Sequence, residues 1–297
     1  AEGLVRRPRC IGVADQMRAR LHDTSLEACL ARFIGGSAKR VVGFMGGHDI
    51  WRDKPVFKTV ASIARRLARE GLLVSSGGGP GLMEAANLGA FLAPYPDDAL
   101  DAALATISQA PNFAETDKWL AKGFEVRTRL LGSWDGQEKD QSFNIGVPTW
   151  LYGHEPPNVF ATHSTKLFFN SLREDGLVTI ADAGLVFGRG NAGTVQEVFQ
   201  DATQNYYRPT GMAPTPMALL EKDFWTRPAA QGPDPVNRTK PLEPLLMALA
   251  GEKPATDWRK AVLVTDSEDD IVKLISGTSV KDSGSTRANL WLTRHGR

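Results

Sequence analysis

Two glycine-dense segments carry the residues best suited to chemistry. The first is Gly77-Gly78-Gly79-Pro80-Gly81, followed by Glu84; the second is Gly190-Asn191-Ala192-Gly193-Thr194, followed by Glu197. A peptide N–H reaches a phosphate oxygen only where no side chain blocks the approach, so glycine opens the backbone to an anion. A helix that begins just beyond adds amides with no partner in the helix, and a partial positive charge. Glu197, three residues after Thr194, stands where it can meet a ligand held at that helix end. Its alternative role is electrostatic, because an acidic side chain in a first helical turn contributes about 0.3–1 kcal/mol. Glu84 has the same two readings.

The order of elements decides whether these segments can share a site. RVVGFMG (40–46) and LLVSSGGGPG (72–81) read as buried parallel strands running into glycine turns. Pro55 opens a helix with apolar spacing up to Glu70, and LMEAANLGAFLA (82–93) forms the next helix. AGLVF (183–187) leads into the second glycine segment and the helix TVQEVFQDATQNYY. Alternating strands and helices predict an α/β fold: a Rossmann-like, doubly wound parallel sheet with helices on both faces. Loops at the carboxyl ends of such strands are where ligands bind.

Further elements complete the expectation. Thr24-Ser25-Leu26-Glu27 caps a short helix ended by Gly35-Gly36, within an N-terminal helical extension over 1–39. The nucleotide-binding domain spans 40–280, with a helical insertion at about 94–140 over the sheet's C-terminal edge and a polar tail over 281–297. FNIGVPTWLYG (143–153) reads as a strand, THSTKLFFNSLRED (162–175) as a helix stopped by Gly176, and PMALLEKDFW (216–225) as a strand. Helix LEPLLMALAG, strand AVLVTD and helix SEDDIVKLISG follow.

Together, GGGPGLMEAANLGA (77–90) and GNAGTVQE (190–197) resemble the LOG (Lonely Guy) family of Rossmann-like nucleotide-binding proteins, formerly misannotated as lysine decarboxylases. The resemblance covers about residues 40 to 275. It implies a phosphoribohydrolase, which cleaves the N-glycosidic bond of a nucleoside 5′-monophosphate to give free base and ribose 5-phosphate. Gly193, Thr194 and Glu197 match the end of the family's PGG-x-GT-x-x-E loop, and Glu197 its catalytic glutamate; Arg189 and Asn191 depart from it. Thr165 stands where the family has an arginine in an M-H-x-R-K segment. Lys166, His163 and Arg173 are the candidates to supply that charge. The resemblance also implies a homodimer, with helices 82–93 and 163–173 at the interface. A non-catalytic nucleotide or cofactor carrier of the same fold is the alternative.

Other residues carry weaker signals. Gly46, Gly47, His48 and Asp49 follow the first strand, where a base or ribose can be held; Arg127 and Arg129 lie on the helical insertion. Trp150, Tyr152, Tyr206 and Tyr207 can stack on a base, although packing is the commoner use of such rings. Neither glycine segment has the dinucleotide or Walker pattern, which disfavours an NAD-dependent oxidoreductase. A net charge of +1 argues against nucleic acid as partner. The 5 histidines lack metal-ligand spacing, and Cys10 and Cys29 form no scaffold. No metal or cofactor is expected. With 42% hydrophobic residues and no apolar run of membrane-spanning length, a soluble cytoplasmic protein is expected.

Overall fold

The computed structural model describes residues 12–131, 143–150, 158–228 and 238–277. Seven strands form one sheet in the order β4-β3-β2-β1-β5-β6-β7, each neighbouring pair parallel. They are β1 (Val41–Met45), β2 (Leu73–Ser76), β3 (Asn144–Gly146), β4 (His163–Ser164), β5 (Gly184–Phe187), β6 (Met217–Leu220) and β7 (Val262–Thr265). The fold is α/β and Rossmann-like, with helices on both sheet faces.

Strand alternation assigns the two cores. Val42, Phe44, Val74, Val186 and Ala218 face one side and pack with α2 (Pro55–Arg69), α3 (Leu82–Phe91), α4 (Asp98–Ile107) and α10 (Glu268–Ser276). Val41, Met45, Leu73, Leu185, Phe187 and Met217 face the other, against α1 (Val13–Ser37), α6 (Asn170–Ile180), α7 (Ala192–Tyr206), α8 (Lys222–Thr226) and α9 (Glu243–Gly251). Burying one such Leu or Phe side chain contributes about 1.5–3 kcal/mol. The central strands β1, β5 and β6 are buried and apolar for this reason, which is why their short runs are legible in sequence.

Several boundaries differ from expectation. α1 starts well before Thr24 and runs through Gly35 and Gly36, because Leu30, Ala31 and Ile34 are buried against the sheet; its left-handed terminus is Ala38, at φ 54°. The segment 162–175 is not one helix. His163 and Ser164 pair with β3, Leu167 bridges Thr149, and α6 begins only at Asn170, continuing past Gly176. Its burial comes from Leu177, Val178 and Ile180, which tertiary packing favours over the glycine stop signal. The strand expected over 216–225 divides into β6 and α8.

Among the described residues the insertion forms α4 and α5 (Thr116–Leu131), laid against the α2 and α3 layer. Its α4–α5 connection reaches the loop after β1, where Arg52 N–H donates to the Pro111 carbonyl. The polar tail, Cys10 and Tyr152 lie outside the described residues. Among the described residues, no helix is long and apolar enough to cross a membrane.

Candidate functional site

From β1 the chain builds outward through β2, β3 and β4, then returns to place β5 on the other side of β1. The crevice between β1 and β5 is the topological switch point of the sheet, where ligands of open α/β folds bind. Backbone hydrogen bonds fasten the loops there. Gly188 N–H donates to the Met45 carbonyl at 2.9 Å, Gly47 N–H to that of Arg189 at 2.8 Å, and Leu82 N–H to that of Gly47 at 3.1 Å.

Two glycines make this closeness possible. Gly81 has φ +69°, and a Cβ there would stand 2.3 Å from the Gly47 carbonyl oxygen. At Gly190 a Cβ would stand 2.1 Å from the Thr194 hydroxyl and 3.0 Å from the Gly47 nitrogen. α7 opens immediately afterwards, and its first intrahelical acceptor is the Asn191 carbonyl, bonded by Val195 N–H at 3.1 Å. The Asn191 side chain caps no amide; it donates instead to Asp49 Oδ2 at 3.1 Å. The amides of Ala192, Gly193 and Thr194 therefore precede the first helical bond, the arrangement that favours an anion.

A cleft of about 320 Å³ lies against this helix end. Gly46, Gly47 and His48 line it after β1, Thr149 after β3, and Met83 from α3. Asn170, Arg173 and Glu174 enter from α6, and Asn191, Gly193, Thr194 and Glu197 from α7.

The charged groups form a connected set. Arg173 Nε donates to Asn170 Oδ1 at 2.8 Å, and its Nη2 stands 3.4 Å from Glu174 Oε1 and 4.0 Å from Glu197 Oε1. Glu174 accepts from Asn170 Nδ2 and from Gln196 Nε2, each at 2.6 Å. Arg173, Glu174 and Glu197 are all buried. Burial pushes the Glu197 carboxyl up to about 7, with Arg173 opposing the rise and Glu174 adding to it. A carboxyl poised there exchanges a proton near neutrality, as a general base or acid must.

No family model matches this chain, and no curated protein matches it. Solved structures similar to it include the molybdenum cofactor binding protein from the phototrophic bacterium Rippkaea orientalis. That chain is 16% identical with a TM-score of 0.43, over 80% of this chain and 96% of the other. Another is TM1055, 16% identical with a TM-score of 0.45, over 80% of this chain and 99% of that one.

Of the three cations weighed in place of the family arginine, the structure brings Arg173 into the cleft. Lys166 Nζ sits 3.8 Å above the Trp150 ring, and His163 packs between Phe33 and Phe143, with ring centroids 4.3 and 4.9 Å away. Thr165 N–H donates to the Gly146 carbonyl. The glycines of the first segment do not line the cleft themselves. A Cβ on Gly77 or Gly79 would stand 2.7 or 2.8 Å from the Met83 side chain, and Gly78 abuts Pro148. Gly77 nevertheless borders the site, since its Cβ would stand 3.0 Å from Arg173 Nη1.

Glu84 serves another purpose. Both of its oxygens accept from Arg52, at 2.5 and 2.9 Å, and both side chains are buried. Arg52 also donates to the carbonyls of Ala110 and Trp119 and lies 3.9 Å above the Trp119 ring, tying the insertion to the β1 loop. Arg127 lies over Phe91 and donates to the Val159 carbonyl, while Arg129 is exposed on α5. Arg189 grips Glu221 at 2.7 Å. His48 meets the cleft and an edge of Phe113. Trp150 stacks on Phe168, and Tyr206 and Tyr207 pack with each other at the far end of α7.

Asn170, Glu174 and Gln196 were not anticipated from sequence. Asn170, Arg173 and Glu174 have the i, i+3, i+4 spacing of one helix face, a signal obscured once the helix is begun at 162. α1 fixes that face: the Asp23 carboxylate accepts from Phe168 N–H and Phe169 N–H, at 2.9 and 2.8 Å, where the chain leads into α6.

Proposed function

We propose that the cleft binds a nucleoside 5′-monophosphate and hydrolyses its N-glycosidic bond. The observation that carries this reading is the buried Glu197–Arg173 pair at 4.0 Å, in the same cleft as the open amino end of α7. The phosphate occupies the amides of Gly193 and Thr194. As the C1′–N bond breaks, its electron pair leaves with the base and positive charge builds on the ribose. The Glu197 carboxylate stabilises that charge and takes a proton from the water whose oxygen bonds C1′. Arg173 favours the ionised form of Glu197 against the effect of burial and orients it. The proton taken from the water passes on to the departing base, so the products are free base and ribose 5-phosphate.

The resemblance of the two glycine segments to the LOG family supports the reading, as does the carboxyl's raised protonation range. A cytoplasmic homodimer with one nucleotide-binding unit over 40–280 completes the proposal; sedimentation tests the dimer. Thr165, where the family has arginine, favours a second reading: a carrier that binds a phosphorylated cofactor without turnover. Incubation with a panel of nucleoside monophosphates separates the two. Base release in step with ribose 5-phosphate supports the hydrolase, and thermal stabilisation without product supports the carrier.

A further inference from the structure

The charges around the cleft do not balance. Arg173 is the only Lys or Arg among the described residues that line it, facing two buried carboxylates, Glu174 and Glu197. Its guanidinium is already shared between them, at 3.4 and 4.0 Å. Asp49, bonded to Asn191 at the rim, adds a third carboxylate. Glu174 is surrounded by donors alone, from Asn170, Gln196 and Arg173. The amino end of α7 offers a positive charge of only about one half. A phosphate brings roughly two negative charges at neutral pH. With a neutral base, the complex would bring uncompensated negative charge against the buried carboxylates of the cleft wall, where Coulomb repulsion is only partly screened.

We propose that the preferred substrate carries its own positive charge in the base, as a pyridinium or N-alkylated purine nucleoside 5′-monophosphate does, and that Glu174 selects it. This rests on the N-glycosidase reading above. The chemistry fits that choice: when the C1′–N bond breaks, the electron pair neutralises the ring nitrogen, so the base leaves without needing a proton. Water supplies oxygen to C1′ and its proton passes to Glu197, and the sum is nucleotide plus water giving neutral base, ribose 5-phosphate and one proton.

The test compares kcat/KM for nicotinamide mononucleotide and 7-methylguanosine 5′-monophosphate with that for AMP and UMP, in the wild-type chain and in Glu174→Gln. The cationic substrates are expected to be preferred at least about tenfold, and Glu174→Gln to lower that preference about tenfold, the scale of one partly screened charge pair. A merely structural role would lower all substrates together, and with an unchanged melting temperature that result overturns the selecting role. Preference for AMP or UMP overturns the proposal while leaving the hydrolase standing; release from none of them removes both. Should Glu174→Gln fail to fold, the wild-type preference decides.

Discussion

Arg173 Nη2 and Glu197 Oε1 stand 4.0 Å apart on neighbouring helices, both side chains withdrawn from solvent. Neither helix alone makes this pair. α6 is placed by Asp23 and the sheet, α7 by the glycine turn after β5, and their packing brings a guanidinium that partly offsets the effect of burial on the carboxyl.

Glu197 gives the protein a pH signature. Its carboxyl titrates at about 7 when folded, raised from the usual value of 4.5. Between those two values the folded state holds a proton that the unfolded state has released, so this group's stabilisation is present below the lower value and lost through the upper. Glu197→Gln abolishes the loss. The variant is expected to gain stability relative to wild type from pH 5 to pH 8, by up to about 3 kcal/mol. Denaturation at both pH values checks this; a constant difference contradicts it.

Activity depends on pH in the opposite sense. A general base must be ionised, so kcat/KM is expected to rise through about pH 7. Arg173→Met removes the cation that holds this limb down. It should move the limb to higher pH and reduce kcat about 10²-fold or more. An unmoved limb would separate Arg173 from Glu197.

Glu84 is expected to matter for folding. Glu84→Ala leaves the Arg52 guanidinium buried without its carboxylate, a loss of about 3–5 kcal/mol. Glu84→Gln retains the shape and should bind a nucleotide normally wherever it is folded. Abolished binding at unchanged stability would return Glu84 to the phosphate site.

Asp23 lies on α1, remote in sequence from the cleft, yet it receives the backbone amides at the start of α6. Asp23→Ala should cost about 1–3 kcal/mol. It should also reduce kcat more than it weakens nucleotide binding, because Arg173 loses its fixed placement. Kinetics on the folded variant read that split.

The sheet was legible because parallel strands are buried on both faces and read as short apolar runs ended by glycine, as at 41–47 and 73–79. The α6 region was not. Ser164 and Thr165 are too few residues to make a readable strand run; pairing with β3 fixes Ser164, and the Asp23 carboxylate, contributed by distant sequence, fixes Phe168 and Phe169. The site divided in the same way. Glu197 and the second glycine segment showed themselves by spacing, whereas the choice among His163, Lys166 and Arg173 required the α6 register. The first glycine segment was read as a phosphate cradle, but its glycines serve close packing under Met83 and against the β1 loop.

The most direct measurement is release of free base from a nucleoside 5′-monophosphate panel, followed in parallel with ligand-induced thermal stabilisation, for wild type and Glu197→Gln. Wild type is expected to yield base and ribose 5-phosphate in equal amounts, and the variant to be stabilised by nucleotide still but to yield neither. Full turnover by Glu197→Gln, or no base from any nucleotide with wild type, would contradict the hydrolase reading.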